Sequence, residues 1–206
     1  MKNLVYALLI LLVFFDCVNS QTVTIGTQIW CKKNLDVKTF QNGDTIHEAQ
    51  TNSEWINAII FKEPAWCYYE NNSDNGQKYG LIYNIYAVND PRGLAPEGFH
   101  IPSDEEWTIL VDFLGGENIA GGKIKSKTGW VRNGNGTDEY GFNGLPGGIK
   151  GKLLSSGLLG YNSYWWCSQE NGDNPYRFLV DYDSTINKGE QNESTGSGFY
   201  VRCIKD

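Results

Sequence analysis

The chain has 206 residues, a formal net charge of −7, and an unusual share of glycine (24) and tryptophan (7). An acidic chain without a Lys/Arg stripe excludes nucleic acid and anionic lipid as partners, because phosphate contacts need concentrated positive charge. The length suits one domain with a real core, and glycine mixed with aromatics predicts short elements joined by long, shaped loops.

The first twenty residues are read separately. Lys2 is followed by an apolar run from Leu4 to Phe15, then by Val18-Asn19-Ser20. That run is shorter than the roughly 20 residues that span a bilayer. It reads as a secretion signal, residues 1–20, cleaved before Gln21. Lipidation at Cys17 is disfavoured by the bulky, acidic Phe14-Phe15-Asp16 ahead of it. Residues 21–206 then form one domain with no membrane span, secreted or held at the cell surface.

Alternation around Gly26, in 22–26 and 28–30, predicts a strand or hairpin edge. Gln41-Asn42-Gly43-Asp44 is a turn signal. Asn52 or Ser53 caps a short helix through Ile60, ended before Pro64. Residues 65–69 read as a strand and 70–77 as a polar loop. The clearest helix is 103–114. Ser103 and Glu106 form a capping box, and Asp104 and Glu105 complement the helix dipole. Trp107, Leu110, Val111 and Leu114 fall on one stripe facing the core, and Gly115-Gly116 ends the helix. From 121 to 160 the chain reads as irregular and glycine-rich. Strands at 164–168, 176–182 and 198–204 close the domain. In the last of these Phe199, Val201 and Cys203 share a face.

No catalytic motif is complete. There is no GxSxG, HExxH or phosphate loop, and His100, in an apolar context, reads as a buried, hydrogen-bonded residue rather than a catalytic base. Without CxxC and with two histidines a zinc site is not expected, and no metal or other cofactor is assigned. The oxygen-rich stretches Asn71–Gly76 and Glu170–Asn174 fall short of a calcium loop. Asp181 and Asp183 alternate on a strand end and read as its solvent face. Trp165 and Trp166 must point to opposite faces. Trp130, Tyr140 and Tyr176 lie in or beside the loop region. Their rings suit stacking on a sugar or a protein partner, with Arg177 adding hydrogen bonds.

Several segments together resemble a known family: 25–30 with Asn34-Leu35, 79–84, 96–107, 120–123, Gly141-Phe142 with 145–148, 164–166, and Gly198-Phe199 with Val201-Arg202-Cys203. In order and spacing they are similar to the Fibrobacter succinogenes major paralogous domain, a family of secreted bacterial proteins grouped with C-type-lectin-like and formylglycine-generating-enzyme-like folds. The resemblance implies a compact α+β, C-type-lectin-like domain outside the cell. Many relatives carry a cysteine where this chain has Ala95, as partner of the position of Cys203. Cys167 stands where relatives more often have serine. The resemblance therefore implies a relocated disulfide, Cys167–Cys203, in a chain whose four cysteines beyond the signal allow three pairings. The functional expectation is non-enzymatic recognition of a glycan or surface protein through Trp130, Tyr140, Tyr176 and Arg177. The alternatives are an enzyme of the formylglycine-generating type, an unrecognised hydrolase, and a purely structural surface domain.

Overall fold

The computed structural model describes residues 22–151, 156–169, 174–190 and 196–206. Residues 1–20, read above as a secretion signal, together with Glu170 and Asp173 lie outside them. Thr22–Ile25 (β1) and Gln28–Cys31 (β2) form a hairpin, turned at Gly26, whose φ of 61° lies in the left-handed region. His47–Glu48 (β3) precedes a helix at Asn52–Phe61 (α1). Its cap is Thr51, one residue before the expected ones, because Thr51 has the partner Glu54 three residues on and completes a capping box. Lys62, in left-handed conformation, ends it.

Ala65–Cys67 (β4) is the expected strand, and a 3-10 turn at Tyr69–Asn71 follows. The segment expected as a polar loop contains a helix, Ser73–Tyr79 (α2). Asn72 caps it by accepting from the Asp74 amide at 3.0 Å. Its polar residues hid it from a periodicity test, since it buries little beyond Gly76 and Tyr79. Ile82–Asn84 (β5), Ile85–Val88 (α3) and Phe99–His100 (β6) lead to the main helix, Asp104–Phe113 (α4). The capping box is present: Ser103 Oγ accepts from the Glu106 amide at 3.1 Å, and a Glu106 carboxylate oxygen accepts from the Ser103 amide at 2.8 Å. Glu117–Ile124 (α5) occupies part of the stretch expected to be irregular.

Ile149–Lys150 (β7), Ser156–Gly157 (β8), Asn162–Trp166 (β9), Tyr176–Val180 (β10) and Asn187–Gly189 (β11) follow. The expected last strand is two: Gly198–Phe199 (β12) and Ile204–Lys205 (β13). They belong to different sheets. The sheet orders are β1-β2-β13-β6, β11-β10-β9 and β3-β4-β5-β12-β7-β8, and every strand pairing is antiparallel except β3 with β4. With five α-helices among the described residues, this is an α+β fold.

Alternation survives the break between β12 and β13, and it explains the core. Trp165, Tyr200, Ile204 and Trp30 point into one apolar cluster with Trp107, Leu110, Phe142 and Leu179. Trp166, Phe199, Val201 and Cys203 point into a second, with Trp66, Tyr83 and Tyr176. The closing segments are therefore the wall between two cores. On one side Trp107 lies 4.8 Å from Trp30 and 5.8 Å from both Phe142 and Trp165, centroid to centroid. On the other, Phe199 lies 4.4 Å from Trp166 and 4.7 Å from Tyr176.

A buried arginine ties the wall to the hairpin. Arg202 Nε and Nη2 donate to Asn34 Oδ1 at 3.0 and 2.8 Å, and Nη1 donates to the carbonyls of Cys31 (3.0 Å) and Phe142 (2.5 Å). The guanidinium also lies over the Phe142 ring. Asn34 Oδ1 accepts in addition from Trp165 Nε1, and its amide nitrogen donates to the Tyr79 carbonyl. Among the described residues no carboxylate forms an ion pair with this cation, and Asp138 acts on it only from a distance. Burial accordingly pulls Arg202 down to about 10, against the opposing influence of Cys31 and Cys203.

The disulfide expected between Cys167 and Cys203 is not formed. Cys167 faces the first cluster and Cys203 the second, so the wall separates their side chains. The residue across the sheet from Cys203 is Cys31: β13 pairs with β2 at Ile204–Trp30, and the Cys31 amide donates to the Cys203 carbonyl at 2.9 Å.

Candidate ligand-binding pocket

Three of the four expected contact residues are buried, which corrects the expectation that they present an open recognition face. Trp130 is 5% exposed, Tyr176 8% and Arg177 3%. Trp130 Nε1 donates to the Gly144 carbonyl, so its ring pins the loop region from within. Tyr176 belongs to the second core. Arg177 Nη2 reaches Asp104 Oδ1 at 2.8 Å and the Thr108 hydroxyl at 3.0 Å, fastening β10 to α4. Tyr140 is half-buried against the first core, with its ring 5.5 Å from that of Phe113. Aromatic residues in a sequence advertise apolar area, and here the core claimed most of it.

His100 is hydrogen-bonded, as expected, but half-exposed rather than enclosed. It contacts Asp206 Oδ1 at 2.7 Å and Glu106 Oε1 at 2.8 Å. Burial pulls its pKa down, but the hydrogen bonds and charges of the two carboxylates outweigh that, and the net shift is upward.

A different set of groups converges at the C-terminal end of α5. Lys125, Asn133, Asn135, Asp181, Tyr182 and Ser184 are among the residues that line a pocket of about 130 Å³. Lys125 builds it. Its stem is buried, and its ammonium donates to the carbonyls of Val180 at 2.5 Å and Asp183 at 2.6 Å, with Asp181 further off at 3.4 Å. The same ammonium stands 4.6 Å above the Trp130 ring. Burial pulls Lys125 below the usual lysine value, while Asp183 and Asp181 act the other way. One cation thus gathers three backbone oxygens and shapes the turn that follows β10.

The opposite wall depends on glycine. A Cβ on Gly134 would strike the Asp181 carbonyl, and one on Gly136 would strike the Gly122 carbonyl. Their absence lets the 130–136 loop lie directly on the Lys125-bound turn. Arg132 and Asn133, both non-glycine, hold positive φ values of 52° and 59°. Consecutive residues in this conformation store strain that the surrounding structure must hold.

Asp181 is the chemically informative member. It is 3% exposed, and its Oδ2 makes no hydrogen bond among the described residues. Its nearest cation is Arg132 Nε at 3.7 Å, and the Arg132 side chain is largely in solvent. The Arg132 guanidinium lies over the Tyr161 ring, 5.1 Å from its centre. Tyr182, next to Asp181, is 74% exposed. A buried carboxylate oxygen without a donor is rare enough to ask what meets it. Asn133, Asn135, Tyr182 and Ser184 line the pocket with it. The sequence presents Asp181 as the solvent face of a strand, but β10 ends at Val180 and the turn that follows brings Asp181 inward. The run Arg132-Asn133-Gly134-Asn135-Gly136 was the one local signal for the pocket's other wall.

Two other depressions have less to offer a ligand. A groove of about 390 Å³ runs between Val37–Gln41 and Leu94–Glu97, but Gln41 spends its amide on the Ala95 carbonyl. A cleft of about 80 Å³ beside Lys32 and Lys33 ends on Arg202, whose guanidinium is already engaged. Among the described residues no three His, Cys, Asp or Glu side chains gather as a metal site, and no helix is long and apolar enough to cross a membrane.

Residues 23–205 match the family described as the Fibrobacter succinogenes major domain. The chain belongs to that family. No curated protein and no solved structure matches it. In this Fibrobacter major domain the segments that carried the resemblance meet in the interior. Asn34, Tyr79, Trp165 and Arg202 form one buried network, and Trp107 and Phe142 pack beside it. Asn84 accepts from the amides of Ala65 and Ala87, and Gly147 lies against the Tyr200 ring. The pocket at Asp181 is built largely from residues outside those segments.

Proposed function

We propose that this protein is a non-enzymatic recognition domain that binds a carbohydrate at the Asp181 pocket, outside the cell. The observation that carries the reading is the buried Asp181 Oδ2, without a hydrogen bond among the described residues, beside exposed Tyr182, with the Tyr161 ring reached through the Arg132 guanidinium. A sugar offers what such a site lacks: hydroxyl donors for the carboxylate, and apolar C–H faces for the rings. Asn133, Asn135 and Ser184 can donate and accept around the same ligand. The grouping of this family with C-type-lectin-like folds supports the class of ligand, and the apolar run of residues 4–15 supports export.

Binding should not need calcium. The carbonyls that a bound cation would take are already held by the Lys125 ammonium. The enzyme reading has less support. Nucleophilic cysteines work as thiolates, and burial pushes the Cys67 thiol up to about 12 and raises Cys203 as well.

A glycan array probed with the purified protein, with and without chelator, tests the reading. Binding should survive chelation. Tyr182→Ala should weaken it about tenfold, or ~1.4 kcal/mol, with an unchanged melting curve, and Asn133→Gly should weaken it too. A blank array, or full binding by both variants, defeats the proposal; capture of a surface protein in its place would favour the protein-ligand alternative.

A further inference from the structure

We propose that Cys31 and Cys203 are an oxidisable pair, and that a disulfide between them is the covalent cross-link of this domain. The two residues are directly opposed where the N-terminal hairpin meets the last strand. The pairing of Ile204 with Trp30 sets the register, and the Cys31 amide donates to the Cys203 carbonyl at 2.9 Å. Residues opposed in an antiparallel pair have Cα atoms roughly 4.5–5.5 Å apart, inside the range of about 4.4–6.8 Å that disulfides span.

Direction agrees with distance. Trp30 and Ile204 point into the first core, so their neighbours point the other way. Cys203 belongs to the second core, and Cys31 packs against that same core. The sulfurs thus share a face as well as a register. Charge on Cys31 raises Cys203 further, beyond the larger effect of burial, which places the two within electrostatic reach. No other two cysteines among the described residues are opposed across a strand pair. Cys67 faces Ile82, and the Cys167 amide donates to the Pro175 carbonyl at the end of β9.

Exposure orders the chemistry. Cys31 is half-buried and Cys203 is buried. Arg202 pulls the Cys31 pKa down, though the larger effect of burial leaves it raised. A small disulfide, RSSR, is the oxidant. The Cys31 thiolate attacks one of its sulfurs, giving Cys31–S–S–R and releasing RSH. The Cys203 thiolate then attacks the Cys31 sulfur, forming Cys31–S–S–Cys203 and releasing the second RSH. The two thiol protons leave on the two RSH molecules, the protein loses two electrons, and RSSR gains them. The product closes the first strand pair onto the last strand, so the chain's two ends are joined at one sheet.

Oxidised glutathione added to the full chain, followed by alkylation and an unreduced peptide map, tests this. The expected result is a linked peptide containing Cys31 and Cys203, lost in Cys31→Ser and in Cys31→Ala but kept in Cys167→Ser. The circular dichroism of the reduced Cys31 variants should match that of reduced wild type. Cys203 joined to Cys17, Cys67 or Cys167, or alkylation of both Cys31 and Cys203 after oxidation, overturns the proposal.

Discussion

Replacing Lys125 with methionine isolates the cation that shapes the pocket. Methionine keeps most of the buried stem and removes the ammonium. Two short hydrogen bonds from a charged donor are lost, to Val180 and Asp183. Such bonds contribute about 1.5–3 kcal/mol each. The charge's placement over Trp130 is lost as well, an interaction of about 0.5–2 kcal/mol. Two effects act against these losses. The buried ammonium no longer has to be desolvated, and carbonyls beside an open pocket regain water. The net cost should be about 2–4 kcal/mol, and with roughly 2–4 °C of melting temperature per kcal/mol in a chain of this size, the midpoint should fall by roughly 5–15 °C. Calorimetry on wild type and Lys125→Met measures it. Lys127→Met, two residues on and exposed, is the control and should stay within about 0.5 kcal/mol of wild type. A Lys125→Met midpoint within about 1 °C of wild type would refute the claim that this ammonium holds the turn.

Two further outcomes follow from the packing and the surface charges. Trp107→Ala should cost about 3–5 kcal/mol in urea unfolding, because the ring is fully buried among Trp30, Phe142 and Trp165 and its Nε1 has no acceptor among the described residues, so packing holds it; an unshifted midpoint would contradict its place in the core. His100 has a folded pKa above its ordinary 6.5, so the stability it contributes with Asp206 and Glu106 is fully present below that value and is lost as pH rises through the folded pKa. Denaturation midpoints of wild type and His100→Gln should therefore differ most in mild acid and converge above 6.5, and a gap that stays constant across that range would sink the assignment.

What was legible in the sequence was whatever rests on neighbours along the chain. The β1–β2 hairpin followed from alternation around Gly26, and α4 from Ser103, Glu106 and the stripe at Trp107, Leu110 and Val111. The alternation of Trp165 with Trp166, and of Phe199, Val201 and Cys203 with the residues between them, predicted opposite faces correctly. Helix α2 was missed because its sequence is polar and its stability comes from the Asn72 cap and the close contact of Gly76 with Tyr68. The family could also be read from local motifs, since those motifs are the buried joints of the scaffold.

Only the tertiary structure decided which aromatics were spent on the core, which acid turned inward and which cysteines stand together. Trp130, Tyr176 and Arg177 look like contact residues until long-range packing buries them, Trp130 in the first core, Tyr176 in the second and Arg177 between β10 and α4. Asp181 looks like a solvent-facing residue until Lys125, 56 residues earlier, draws the turn after Val180 onto itself. Cys31 and Cys203 stand at opposite ends of the chain, and nothing local relates them. Strand register is set by the pairing of distant segments, so their opposition becomes visible when β13 lies down beside β2.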